Sequence, residues 1–217
     1  MAPDGSKGGK FITLEGGEGT GKSTQALLLA GHLERAGIDA LVTREPGGAP
    51  GAEEIRKLLV EGAPGRWDSI SETLLHFTAR REHLEQTVLP AIARGQWVIS
   101  DRFADSTMAY QGYGLGVGRQ AVEALYRIVV GAFAPDLTII LDLAPELGLE
   151  RSRGGQSGED RYERMDEAFH RRLREGFLDI ARREPERCAV IKADGAMEEV
   201  EAKILATVGE RLGVSFR

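Results

Sequence analysis

The chain has 217 residues, 41% of them hydrophobic, and 28 basic against 34 acidic side chains give it a net charge of −6. That length suits one α/β domain with at most a mobile insert, and the acidic balance argues against a protein whose main task is gripping nucleic acid. A single cysteine, Cys188, excludes a disulfide framework or a multi-cysteine zinc site, and no apolar run approaches the ~20 residues of a membrane span.

Residues 1–9 are polar and Gly-rich, without an apolar signal region. They read as a flexible leader ahead of one domain over 10–217, and the expected location is the cytoplasm. A buried strand predicted at 11–14 runs directly into Gly16-Gly17-Glu18-Gly19-Thr20-Gly21-Lys22-Ser23-Thr24. This is G-x-x-x-x-G-K-[ST], the phosphate-binding P-loop. Its glycines let backbone N–H groups fold around phosphate oxygens, and the helix that follows turns its positive end to the same anion. Lys22 is placed to reach the β- and γ-phosphates, and the Ser23 hydroxyl to ligate Mg²⁺. A dinucleotide fold is disfavoured, because G-x-G-x-x-G is not met and no acidic residue ends the second strand.

A helix over 24–35 is followed by a strand at 40–43 that ends in Arg44-Glu45-Pro46, a basic tip suited to a second phosphate. Ser69 and Glu72 predict a capping box that opens one helix over 69–94, with Leu74, Leu75, Phe77, Leu84, Val88 and Ile92 at helical spacing. The strand at 97–100 ends in Asp101-Arg102-Phe103, and an Asp at such a tip beside a P-loop is placed to hold Mg²⁺. A helix over 119–132, a strand at 137–143 and a helix opened by Pro145 come next. A Gly-rich break at 153–159, a helix over 166–183, a weaker strand at 189–192 and a helix over 197–212 complete the chain. Strands alternating with helices predict a five-stranded parallel sheet flanked by helices, with ligands beyond the carboxyl ends of the strands. Of the 28 basic residues 22 are Arg, and ten of these lie between Arg151 and Arg187. Arg is favoured where a planar fork must hold phosphate or carboxylate.

Several of these marks together resemble the thymidylate kinase family, over nearly the whole chain from Lys10 to about Leu212. They are the P-loop with acidic Glu18, the Arg44-Glu45-Pro46 turn, Phe77-x-x-x-Arg81, and Asp101-Arg102-Phe103 followed by Ser106-Thr107-x-x-Tyr110-Gln111. The resemblance implies a P-loop nucleoside monophosphate kinase fold with a mobile lid at about 151–164. It implies phosphorylation of dTMP to dTDP with ATP and Mg²⁺, small-molecule partners only, and a homodimer. By the same resemblance Glu18 accepts from the 3′-hydroxyl, and Arg44 and Arg102 hold the dTMP phosphate. Phe77 stacks on thymine, Arg81 donates to a base carbonyl, and Thr107 and Gln111 lie near the base. Tyr110 crowds a ribose 2′-hydroxyl, Tyr162 contacts the nucleotide, and Arg151 lies against adenine. Gly19 stands where some family members carry a P-loop Arg, so lid arginines, Arg153 or Arg161, are expected to supply charge to the γ-phosphate. His32, His76, His83 and His170 match no family position and are assigned no function.

Rival readings are another nucleoside monophosphate or deoxynucleoside kinase, a GTP-driven switch, and a non-catalytic nucleotide-binding subunit. The switch needs an Asn-Lys-x-Asp guanine reader, and the chain contains no Asn. Lys22, Asp101 and Arg102 speak against the non-catalytic subunit.

Overall fold

The computed structural model describes residues 8–63, 65–152 and 161–216. Its sheet is built from β1 (Phe11–Glu15), β2 (Ala40–Arg44), β3 (Trp97–Asp101), β4 (Leu137–Asp142) and β5 (Cys188–Lys192). All neighbouring pairs are parallel, in the order β2-β3-β1-β4-β5. Each strand differs from its predicted range by one residue at one end. The carboxyl ends stand level, since Leu14 pairs with Asp101 and Arg44 also pairs with Asp101. The tips of three strands therefore meet on one edge.

Alternating side chains divide the core into two layers, as a strand period of two requires. Phe11, Val98 and Ile140 face one layer, with Phe77, Phe103, Phe169 and Phe177. Ile12, Leu14, Ile99, Ile139 and Leu141 face the other, with Leu29, Leu33 and Ile204. The second layer is covered by α1 (Lys22–Arg35) and α9 (Met197–Leu212), the first by α3 (Ser69–His83) and α8 (Glu167–Arg183).

The segment read as one helix over 69–94 is three pieces: α3, a π-helical turn at Leu84–Val88, and α4 (Leu89–Ala93). The Leu89 N–H reaches back to Leu84 O, five residues away. Pro90 has no N–H to give and its ring crowds the preceding turn, so the helix widens rather than continuing. The predicted capping box is also corrected. Asp68 caps α3, its carboxylate accepting from Ile70 N at 3.0 Å and Ser71 N at 3.1 Å. This frees Glu72 to point inward. Leu74, expected in the core, is 46% exposed.

Two helical regions have no counterpart in the sequence reading. One is α2 (Pro50–Val60), opened by its proline. The other is α5 (Ala104–Thr107), which widens into a π-helical segment at Met108–Gly114. The remaining helices are α6 (Arg119–Val129) and α7 (Pro145–Ser152). The predicted leader and lid fall mostly outside the described residues. Among the described residues no helix is long and apolar enough to cross a membrane.

Candidate active site

The turn between β1 and α1 sets the geometry. Gly19 and Gly21 take φ values of 66° and 86°, in the left-handed region that glycine enters without steric cost. Among the described residues no side chain caps α1, so its first N–H groups are left for an anion. Lys22 folds back over the loop, its Nζ donating to Gly17 O at 2.7 Å and Thr20 Oγ1 at 3.2 Å. Burial, then the nearby Arg102 guanidinium, pulls the Lys22 ammonium down to about 8. At the far end of the loop the Ser23 hydroxyl donates to Asp101 Oδ2.

Arg102 follows β3 with φ 72°, uncommon for a residue with a side chain. Three bonds hold it: to Gly16 O at 2.8 Å, Ser106 Oγ at 3.1 Å and Glu18 Oε2 at 3.1 Å. Buried Glu15 braces the same turn, accepting from Phe103 N at 2.7 Å and Ser106 Oγ at 2.5 Å. Tyr110 donates to Glu18 Oε1 at 2.5 Å, and the Arg102 guanidinium lies 4.9 Å from its ring centre. Burial alone would raise the Glu18 carboxyl, but Arg102 and Lys22 outweigh it and hold it below the usual range. A carboxylate, a guanidinium and a phenol thus stand fixed beside the phosphate loop.

A cavity of about 460 Å³ opens from this loop. Of the residues singled out from the sequence, Glu18, Gly19, Thr20, Gly21, Lys22, Ser23, Thr24, Arg44, Asp101, Arg102, Thr107, Tyr110, Gln111 and Tyr162 line it. Gly16 and Gly17 sit behind the loop. Arg44 is exposed and shared with Glu53 at 3.1 Å. Arg151 lies elsewhere, its Nη1 donating to Ala193 O at 2.9 Å. Arg153 lies outside the described residues.

Three placements differ from expectation. Phe77 and Arg81 do not line the cavity; His76 and Arg80, one residue earlier, do. A helix turns ~100° per residue, so the same i, i+4 spacing shifted by one aims at a different surface. Phe77 is 1% exposed and lies in the core. Its ring lies 4.9 Å from the Arg80 guanidinium and backs it. Arg81 faces outward, bound to Glu85 at 2.7 Å and Val129 O at 3.1 Å.

Arg80 is 2% exposed and donates to Glu45 Oε2 at 2.8 Å, Phe103 O at 3.1 Å and Thr107 Oγ1 at 2.9 Å. Its Nη1 is buried with no partner among the described residues. The same is true of Gln111 Oε1. Both residues line the cavity, and each keeps one buried polar atom, a donor on Arg80 and an acceptor on Gln111, without a partner among the described residues.

Arg161 is the third difference. It is 4% exposed, donates to Leu59 O at 2.8 Å and is paired with Glu72. It does not line the cavity, and a γ-phosphate role for it is not supported by this placement. Tyr162 beside it donates to Glu72 Oε1 at 2.7 Å.

His76 is the residue the sequence reading missed. Its Nε2 lies 3.0 Å from Tyr162 Oη, and burial, followed by Arg80 and Arg161, pushes its imidazolium down to about 3. The ring is neutral at physiological pH. The signal was present, because His76-x-x-x-Arg80 repeats the aromatic-to-Arg spacing of Phe77-x-x-x-Arg81.

The thymidylate kinase family model matches residues 14–204. Thymidylate kinase of Caulobacter vibrioides is 53% identical over 206 residues, covering 95% of this chain and 99% of its own. That of Dinoroseobacter shibae is 52% identical over 198 residues, covering 91% of this chain and 95% of its own. A crystal structure of thymidylate kinase from Ehrlichia chaffeensis superposes with a TM-score of 0.75 at 36% identity, covering 93% of this chain and 99% of that one. With sequence and fold in agreement over almost its whole length, the chain belongs to the thymidylate kinase family.

Proposed function

We propose that the enzyme transfers the γ-phosphoryl group of ATP to a phosphate oxygen of dTMP, giving dTDP, within the cavity between the P-loop and the Arg80–Gln111 wall. The observation that carries this reading is the unused pair on that wall, Arg80 Nη1 and Gln111 Oε1. Two residues lining the cavity, one with a spare donor and one with a spare acceptor, complement a base edge that offers a carbonyl and an imide N–H, as thymine does. Cytosine offers an amino group and a ring lone pair at those positions, so a donor would face the Arg80 donor and an acceptor the Gln111 acceptor. Each buried polar group left unpaired costs ~1–3 kcal/mol.

The chemistry at the other end is electrostatic. A phosphate monoester has a second pKa near ~6, so the nucleophile is already charged at neutral pH and no strong base is required. The protein must instead align two polyanions. In this reading Lys22 and the N–H groups of the loop hold the ATP phosphates, and Arg44 and Arg102 hold the acceptor phosphate. Glu18, fixed by Arg102 and Tyr110, takes the 3′-hydroxyl, and the Tyr110 ring beside it leaves no space for a 2′-hydroxyl. The Ser23 hydroxyl and Asp101 carboxylate are hard oxygen donors set together at the phosphate end, a set that fits Mg²⁺. When bound, that ion neutralises phosphate charge.

A coupled ADP-release assay over the nucleoside monophosphates tests this reading. The expected order is dTMP first and dUMP a poorer substrate, since the missing methyl is worth about 1 kcal/mol of burial. dCMP, purine and ribose monophosphates should follow far behind. Equal or better kcat/KM with AMP, GMP or CMP would refute it.

The enzyme is also proposed to act as a homodimer. Apolar side chains stand exposed on two helices that pack together, Ile70 and Leu74 on α3 and Ile128, 79% exposed, on α6. Light scattering at micromolar concentration should give twice the chain mass; a monomer mass overturns this.

A further inference from the structure

We propose that Glu72 is a positioning residue. It fixes which end of the Gln111 amide faces the acceptor base, and through Gln111 it sets the enzyme's preference for a base bearing an imide N–H. The proposal rests on the reading of the cavity as the dTMP site.

Glu72 is 0% exposed and lies on the inner face of α3. A carboxylate only accepts hydrogen bonds, so it dictates the polarity of every neighbour it touches. Its Oε1 accepts from Gln111 Nε2 at 2.9 Å and from Tyr162 Oη at 2.7 Å. Its Oε2 accepts from Arg161. Tyr162 has one proton and gives it to Glu72. The phenol oxygen can then only accept, from Gln111 Nε2 at 3.2 Å and from His76 Nε2 at 3.0 Å.

Both hydrogens of the Gln111 amide are spent on this network. Its Oε1 is left buried without a partner among the described residues, on a side chain that lines the cavity. Turning the amide over would set Oε1 2.9 Å from a carboxylate oxygen and would strip Tyr162 of a donor. Two acceptors in contact repel, and the displaced amide hydrogens gain nothing in the network. Gln111 therefore presents an acceptor alone. Glu72 never touches substrate, yet it decides that a base N–H is welcomed and a ring lone pair is not.

A residue that merely braces the wall would act on all substrates alike, so the readout is a ratio. The test compares kcat/KM for dTMP and dCMP in the wild-type enzyme and in Glu72→Gln. The replacement has the same shape but can offer Gln111 either an amide hydrogen or a carbonyl, so both orientations open. The dTMP-to-dCMP ratio should fall at least tenfold, mostly through loss with dTMP. It should not fall to one, because Arg80 still faces the cytosine amino group.

Equal loss with both substrates overturns the proposal. A wild-type enzyme with no preference for dTMP overturns the site reading itself, and the proposal with it. Should Glu72→Gln fail to fold, Glu72→Asp replaces it, withdrawing the carboxylate from Gln111 while keeping the charge opposite Arg161. The same fall is expected, and an unchanged ratio overturns the proposal. In the labelled wild-type enzyme, the Gln111 side-chain N–H signals should be exchange-protected and hold their shifts as dTMP is added. Unprotected signals, or signals that move as a base-contacting donor would, also overturn it.

Discussion

Replacing Arg80 by methionine is expected to lower kcat/KM for dTMP on the order of 10²-fold, through loss of a charge-assisted bond to the base and its orientation. Stability should fall too. Arg80 and Glu45 are a buried ion pair, with side chains 2% and 4% exposed. Removing one partner of such a pair costs ~3–5 kcal/mol. His83 also donates to Glu45, at 2.9 Å, which favours the low end. For a chain of this size that is about 10 °C in Tm. Arg81→Met is the contrast. Its pair with Glu85 is half-exposed on both sides and is worth only ~0.3–0.5 kcal/mol. Its kcat/KM should stay within about twofold of the wild type, since Arg81 does not line the cavity. Steady-state kinetics and thermal unfolding of the two variants decide the register of α3 directly. A large kinetic loss in Arg81→Met with a near-normal Arg80→Met would overturn the assignment.

Lys22→Ala is expected to lower kcat by on the order of 10³, the scale of removing one preorganised electrostatic contact in a water-poor site. The fold should survive, because among the described residues the side chain bonds within its own loop. The wild-type lysine should also show itself in pH dependence. Its ammonium, pulled down to about 8 by burial and Arg102, must be protonated to meet phosphate. Nucleotide binding above pH 8 therefore takes up a proton, and ATP affinity should fall with rising pH, by up to about tenfold per unit. Calorimetry in buffers of different ionisation enthalpy measures that uptake. In Lys22→Ala this limb should vanish. Its persistence would mean another group titrates there.

The legible parts of the fold and site were those encoded locally. An apolar run leading into Gly-x-x-x-x-Gly-Lys-Ser gives strand, loop and helix within fifteen residues or so, and the loop tolerates few other geometries. Asp101 and Arg44 were legible because a strand end is a fixed place in a parallel sheet. Gln111 and Thr107 came only through the family resemblance, carried by Ser106-Thr107-x-x-Tyr110-Gln111.

The illegible parts depend on rotation or on distance. Two adjacent pairs, His76 with Arg80 and Phe77 with Arg81, share one spacing. Only the packing of α3 decides which pair faces the cavity. Phe77 was the more persuasive residue for stacking, and for that same apolarity it went to the core. Arg161 is a lid cation only by the family resemblance, but its partner Glu72 lies 89 residues earlier. The Ser69–Glu72 spacing fitted a capping box, while Asp68 was nearer the turn and took the role. Pro90 inside the predicted long helix was a visible warning that its hydrogen-bond ladder would open.

The contact between Gly19 and α7 limits what the loop can carry. A Cβ on Gly19 would lie 2.0 Å from the Gly148 carbonyl oxygen, and a Cβ on Gly148 would lie 2.4 Å from that of Glu18. Loop and helix touch backbone to backbone, with no room for a side chain on either. A side chain on Gly19, an arginine included, requires the loop and the helix to separate. The helix must first retreat, and only then does the loop have space for a new charge. A charge added to this loop therefore needs a matching shift of the α7 backbone, and a glycine codon change alone does not supply it.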